Sequence, residues 1–337
     1  MKKRFVHIGF PKCGSTALQI DFFYRHPQML FLGVGCGNPL KYIGENISTA
    51  LELDLRYKKD LIYDSEKIKA YFEKYFNKGE TTSSTSCIGL SSENLSFTFT
   101  NDIDVTQKAN RIYRIFGRET KIIIIIRNQF ELIKSLYSEF IMSGYYKSFE
   151  DFLEFSYAFH ERNYLCDLLY LNIYEYYEKL FGKENIGVFI FEEFVINTSE
   201  FTKKICKFLG IDFFDYEIRR RNQSLSIDDL ENIRLFNNLN RHNLGNSLLD
   251  YSHSHRLKNY FLNELNIRVP KQAINDEIRK SELINVIKIS RDLHDEPKRL
   301  SINDQYKEKF IKMFSESNQI ISDKFCVDLK SLGYPMN

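Results

Sequence analysis

The sequence predicts an α/β fold with a central parallel sheet, and three observations carry the prediction. Apolar runs of strand length alternate with helical segments from Phe5 to about Leu209. The run from Lys121 to Ile126 contains five isoleucines in succession, and apolarity without alternation is what a strand covered on both faces requires. Two glycines, Gly9 and Gly14, lie between the first apolar run and the first helical one. In that order of strand, loop and helix, backbone N–H groups at the helix start hold anions. Strand, helix and strand repeated in this way imply parallel pairing through right-handed crossovers.

Phe5 to Gly9 reads as the first strand and Ser15 to His26 as its helix. Met29 to Val34 is the second apolar run, ended by the turn-rich Gly35-Cys36-Gly37-Asn38-Pro39. Charged, amphipathic stretches from Ile47 to Phe76 read as helices, and Gly79 to Ser86 as a polar linker. Cys87 to Leu90 is a short third strand, and Asn110 to Phe116 a helix. Asn128 to Ser143 reads as a helix with an asparagine cap, Phe149 to Phe181 as further helix rich in aromatics, and Ile186 to Phe191 as another buried strand. Beyond about Phe201 the chain is mostly helical and polar. We expect one domain over 1–337, with an α/β core in 1–210 and a mainly helical extension in 211–337. Ligands of such sheets bind beyond the carboxyl ends of the strands, which gathers Pro11 to Thr16, Gly35 to Pro39, Ser91 to Leu95 and Arg127 to Gln129 around one crevice.

With 47 basic against 45 acidic side chains the net charge is only +2. A broad nucleic-acid surface needs a clustered positive excess, so no nucleic-acid partner is expected. Met1-Lys2-Lys3-Arg4 opens like a signal peptide, but the apolar stretch Phe5 to Phe10 is too short to complete one. No apolar run approaches the ~18–20 residues needed to span a bilayer. The six cysteines lack C-x-x-C spacing, which argues against structural zinc. They read as reduced thiols of a cytoplasmic protein.

The glycine loop narrows the chemistry. A nucleoside-triphosphate loop reads G-x-x-x-x-G-K-[ST], with its lysine after the second glycine. Here Gly9 and Gly14 keep the spacing and Thr16 keeps the hydroxyl, but Ser15 stands at the lysine position and the lysine is Lys12, inside the loop. Pro11, Lys12, Cys13, Gly14, Ser15, Thr16 and Ala17 form an anion site at a helix start without the lysine expected at a transferable γ-phosphate. A plain strand-to-helix turn with a Ser or Thr cap is the other reading.

A second segment runs from Arg127-Asn128-Gln129 to Ser135-Leu136-Tyr137 and begins where the isoleucine strand ends. Arginine offers a fork of donors to phosphate oxygens, and Ser135 adds a hydroxyl. Together the two segments resemble the 5′-phosphosulfate loop, P-K-x-G-[ST]-[ST], and the 3′-phosphate motif, R-N-P with a following serine, of the sulfotransferases. The likeness covers roughly Lys3 to Leu209, with Gln129 where the family usually has proline. It implies a three-layer fold like that of P-loop NTPases, in a soluble enzyme of the bacterial type. It also implies transfer of a sulfuryl group from 3′-phosphoadenosine-5′-phosphosulfate (PAPS) to an acceptor hydroxyl, with adenosine 3′,5′-bisphosphate as product and no metal. The loop, Arg127 and Ser135 would contact the donor. So would Arg221, whose segment Arg221-Asn222-Gln223-Ser224-Leu225 is similar to a cofactor-facing loop of bacterial members. Lys12 would neutralise charge on the departing oxygen. Ser91-Ser92-Glu93 resembles the S-S-E segment of carbohydrate-type members, which implies Glu93 as general base and a saccharide or glycan as acceptor. A structural ion pair is the other reading of Glu93.

Other candidates carry less. His7 sits within the first strand and reads as core. His253 and His255 have no third metal ligand nearby. Glu192 and Glu193, read as strand residues, would point to opposite faces. Arg219 to Arg221 reads as a solvated face, and the aromatic stretch from Phe149 to Phe181 as core. Walls for the acceptor could come from Gly33 to Tyr42, Gly144 to His160 and His253 to Arg299. Two alternatives stay open. A P-loop kinase or hydrolase would need a lysine at position 15 and an acid holding Mg²⁺. An inactive nucleotide-binding protein would have no use for Lys12 and Glu93 together.

Overall fold

Five strands, β1 (Lys3–His7), β2 (Met29–Val34), β3 (Cys87–Ser91), β4 (Lys121–Ile126) and β5 (Ile186–Ile190), form one sheet in the order β2-β3-β1-β4-β5. Every pair is parallel, with Val6 of β1 in register with Leu90 of β3 on one side and Ile122 of β4 on the other. The computed structural model describes residues 2–34, 47, 50–98, 102–142, 144–215, 217–219, 225–239 and 300–337. The chain divides into two compact units: Met1–Gln129, Tyr164–Asn222 and Glu308–Asn337 in the first, Phe130–Asn163 and Gln223–Lys307 in the second.

The sheet lies in the first unit and is covered on both faces. Phe5 and His7 of β1 meet the ring of Phe23, which lies on the turn following the glycine loop. Side chains alternate along a strand, so Arg4 points the other way, and its guanidinium lies over the Phe76 ring. The isoleucines Ile122 to Ile126 are all at most 2% exposed, as a strand buried on both faces requires.

Helices follow the strands. α1 (Ser15–Ala17) widens at once into a π-helical stretch, Leu18–Phe23, a feature common at functional sites. α2 (Ser65–Thr81) starts at Asp64, whose carboxylate accepts the N–H of Lys67. It buries Ile68, Phe72, Phe76 and Gly79, so its apolar stripe extends helix into the stretch expected as linker. α3 (Val105–Phe116) is capped in the same way by Asp104 on Gln107 and begins five residues before the predicted start at Asn110. α4 (Gln129–Met142) leaves β4 and passes into the second unit. There the capping-box helix α5 (Phe149–Ala158) joins Tyr137 and Phe152 in an aromatic cluster. Asn237 donates to the carbonyls of Ile141 and Tyr145. Back in the first unit come α6 (Tyr164–Asp167), α7 (Tyr170–Phe181), α8 (Phe191–Ile196) and α9 (Thr198–Leu209). The last two among the described residues are α10 (Ile227–Leu239) and α11 (Asp304–Phe325).

Two boundaries differ from expectation for local reasons. β1 ends at His7, yet the N–H groups of Ile8 and Phe10 still donate to the carbonyls of Ile123 and Ile125. The backbone therefore stays extended beside β4 past the formal end of the strand. β5 ends at Ile190, and α8 starts at Phe191, which places Glu192 and Glu193 on a helix instead of a strand. No helix among the described residues is long and apolar enough to cross a membrane.

Candidate active site

The strand order sets β3, β1 and β4 side by side, so the loops leaving their carboxyl ends meet. The glycine loop turns at Lys12 and Gly14, whose φ angles are 63° and 75°. Gly14 is the residue before α1, and its φ lies in the left-handed region that favours glycine. A Cβ there would stand 2.8 Å from the Phe194 ring, so both conformation and space call for glycine. The first turn of a helix leaves its N–H groups without intrahelical acceptors, and here these belong to the Ser15–Ala17 turn. The Ser15 hydroxyl is buried and has no partner among the described residues.

Beneath the loop lies a polar trio. The His7 Nδ1 is 2.7 Å from the Ser91 Oγ, to which the Gln19 amide donates at 2.8 Å. Ser91 accepts from Gln19 and shares a hydrogen bond with His7, while the buried His7 Nε2 has no partner among the described residues. Burial alone holds His7 down at about 3, so the ring stays neutral. Its Nε2 would be 2.3 Å from a Cβ on residue 9, which is why Gly9 must be a glycine. Gln19 reaches Ser91 from the π-helical stretch. From the same stretch the buried Asp21 accepts the N–H of Arg219 at 3.1 Å.

On the β4 side Arg127 joins the loop directly. Its Nη1 donates to the carbonyl of Lys12 at 2.6 Å, and its guanidinium lies over the Phe191 ring. Its own carbonyl accepts from the Tyr170 hydroxyl at 2.6 Å. Glu192 accepts the Asn128 N–H at 3.0 Å. The Cys13 thiol reports how closely charges gather here. Burial pushes it well up, Arg127 pulls it down, and Glu192 and Glu93 push it further up.

On the β3 side Ser92 donates its N–H to the His7 carbonyl at 2.9 Å, and the half-buried Glu93 opens a single 3₁₀ turn, Glu93–Leu95. The Ser96 hydroxyl bridges the carbonyls of Gly9 at 3.0 Å and Glu93 at 3.3 Å, tying this turn to the glycine loop. Lys108 of α3, wholly buried, spends its ammonium on the carbonyls of Asn94 (2.8 Å) and Phe97 (2.7 Å) and on Asp102 (2.6 Å). Asp102 also takes Arg56 at 3.2 Å. Burial works to raise the Asp102 carboxyl, and Lys108 and Arg56 outweigh it and hold it below its usual range. Asp167 accepts the Thr98 N–H at 2.6 Å, and burial pushes it up to about 7.

The sulfotransferase domain model matches residues 2–271. The chain belongs to the sulfotransferase family. It is a PAPS-dependent sulfotransferase with a P-loop NTPase-like fold. Among solved structures it is similar to a sulfotransferase from Alicyclobacillus acidocaldarius, at 20% identity over 66% of this chain and 87% of that one, with a TM-score of 0.47. It is also similar to mouse sulfotransferase SULT7A1 complexed with PAP, at 14% identity over 86% and 88% of the two chains, with a TM-score of 0.36. A third is the sulfotransferase domain of the Synechococcus PCC 7002 olefin synthase, at 14% identity over 88% and 98%, with a TM-score of 0.37. No curated protein sequence matches the chain.

In this sulfotransferase Pro11 to Ala17, Glu93 and Arg127 come together around the carboxyl ends of β1, β3 and β4. A donor phosphate fits what is built there: a glycine cradle, a helix start and the buried Ser15 hydroxyl with no protein partner among the described residues. Ser135 lies half-buried on the part of α4 that belongs to the second unit. Arg221, His253 and His255 fall outside the described residues, as does the Gly35 to Pro39 loop. Sequence reasoning missed Lys108, Asp102, Asp167, Tyr170 and Phe191. The one visible signal was a lysine on the apolar face of a helix: Lys108 falls between the buried Val105 and Ile112.

Proposed function

We propose that the enzyme moves the sulfuryl group of PAPS to a carbohydrate hydroxyl, with Glu93 as base and Lys12 as charge neutraliser. The observation that carries the donor assignment is the 2.6 Å bond from Arg127 to the Lys12 carbonyl, which joins two motifs 115 residues apart in the chain. Arg127 fixes the loop with one donor and keeps others for the 3′-phosphate. Ser135 and Arg221 are proposed as further donor contacts on the strength of their motifs. Glu93 takes the acceptor proton as the hydroxyl oxygen bonds to sulfur. The bond from sulfur to the 5′-phosphate oxygen breaks, and the charge left on that oxygen is met by the Lys12 ammonium. The chemistry asks for no metal. The carbohydrate class rests on the S-S-E likeness at Ser91 to Glu93. His7 is a poor rival for the base, since it is buried, burial lowers its basicity, and it is engaged with Ser91. We also propose a cytoplasmic location, from cysteine usage. Transfer of label from PAPS to a panel of glycans tests the assignment; transfer only to non-carbohydrate hydroxyls would overturn the acceptor class.

Two substitutions separate binding from chemistry. Arg127→Ala is expected to remove about 2–3 kcal/mol of the preference for adenosine 3′,5′-bisphosphate over adenosine 5′-phosphate, read by calorimetry. Lys12→Ala keeps both the backbone carbonyl that Arg127 uses and a Cβ at the φ of 63°. It is expected to lower turnover by about 10²–10³-fold with much less effect on bisphosphate binding. A near-normal rate in that variant would remove Lys12 from the chemistry.

A further inference from the structure

The segment Arg127 to Gln129 is held from behind, and what holds it comes from the last described stretch of the chain. The Asn128 amide donates to the Leu332 carbonyl at 3.1 Å. Glu192 accepts the Asn128 N–H with one oxygen and the Tyr334 hydroxyl, at 2.9 Å, with the other. Gln129 and Asn318 of α11 exchange amide hydrogen bonds at 2.8 and 3.2 Å. Gln129 also donates to the Leu168 carbonyl, and Asn318 to the carbonyl of Pro335 at 3.0 Å. Gln129 and Asn318 are wholly buried, and Tyr334 is 3% exposed. Each of these groups has its partners satisfied, which is how buried polar networks set a unique geometry.

We infer that Asn318 and the segment Leu332 to Pro335 are positioning elements of the donor site, aiming Arg127 at the 3′-phosphate. The inference rests on the donor assignment proposed above. Its chemistry follows from position 129. A proline at the first position of a helix presets only its own φ. A glutamine presets nothing by itself, so the start of α4 takes its geometry from the partners that glutamine finds, Asn318 and the Leu168 carbonyl. Arg127 lies two residues upstream, its carbonyl pinned by Tyr170 and its guanidinium stacked on Phe191. Phe191 is the residue before Glu192, so the contact between Tyr334 and Glu192 bears on both sides of the arginine.

Tyr334→Phe removes one hydroxyl and keeps the ring, and Asn318→Leu removes the amide pair. Calorimetry with adenosine 3′,5′-bisphosphate and with adenosine 5′-phosphate, on the full chain, reads the result. Wild type is expected to prefer the bisphosphate. Tyr334→Phe is expected to weaken bisphosphate binding by about 3–10-fold, the worth of one hydrogen bond, with the 5′-phosphate affinity unchanged. Asn318→Leu should follow the same pattern more strongly; if that variant does not fold, Tyr334→Phe decides alone. Equal weakening of both nucleotides, or of neither, overturns the inference while the donor assignment stands. A wild type with no preference overturns both.

Discussion

Glu93→Gln is expected to lower turnover by about 10²–10⁴-fold, typical for loss of a general base, with bisphosphate affinity nearly unchanged. The substitution keeps the shape of the side chain and its place at the start of the 3₁₀ turn. Ser96 holds that turn through the Glu93 backbone carbonyl, which the substitution leaves in place. What disappears is the acceptor for the hydroxyl proton. The paired control is His7→Gln, together with a pH–rate profile for each variant. His7 titrates near 6.5 in an unfolded chain but only at about 3 in its buried place. It therefore contributes stability that is present above about pH 6.5 and is lost as pH falls toward 3, because the unfolded chain takes up a proton that the folded ring refuses. His7→Gln should then keep a near-normal rate, with its pH effect confined to stability. Should Glu93→Gln remain active while His7→Gln is dead, the histidine is the base, and the case for a carbohydrate acceptor loses its main support.

Lys108→Met is expected to destabilise the fold by about 3–5 kcal/mol, the cost of removing one partner from a buried ion pair, as read from denaturant midpoints. Methionine matches the length of the lysine stem, so the loss is in charge and hydrogen bonding, not in packing volume. It leaves the carbonyls of Asn94 and Phe97 without this donor and takes one cation from Asp102, which keeps Arg56. The Asn94 carbonyl belongs to the turn that carries Glu93 and Phe97 follows it closely in the chain, so surviving activity should fall with stability. The pH dependence should also extend to higher pH. Asp167, raised to about 7 by burial and held down in part by Lys108, binds a proton in the folded state at pH values where the unfolded chain has released it, from about 4 upward. Its contribution is present below about pH 4 and lost as pH rises to 7. Without Lys108 the pull on its proton weakens and that window widens. A midpoint within experimental error of wild type would show that the buried cluster contributes nothing.

Much of this was legible along the chain. The glycine loop with Lys12 inside it, Arg127 at the end of five isoleucines and the carboxylate after Cys87 to Leu90 each depend only on near neighbours. The sheet followed as well, because runs buried on both faces carry their own pattern. Local pattern failed where context competed. The polar stretch after Phe76 continued as helix because its buried stripe runs on to Gly79, and Glu192 and Glu193 became helical once β5 ended at Ile190.

By itself, then, the sequence determined the parallel α/β class, the two segments that resemble the family's motifs and the family itself, since each is a short-range pattern of residue types and spacing. Only the tertiary structure decided which polar residues serve those motifs. Gln129 meets Asn318 across 189 residues, Ser91 meets His7 across 84, and Lys108 finds the carbonyls behind Glu93. Nothing in the neighbourhood of such residues marks their partners. A buried polar group must be satisfied by whatever donor or acceptor the fold brings to it, and that is settled only when distant elements pack.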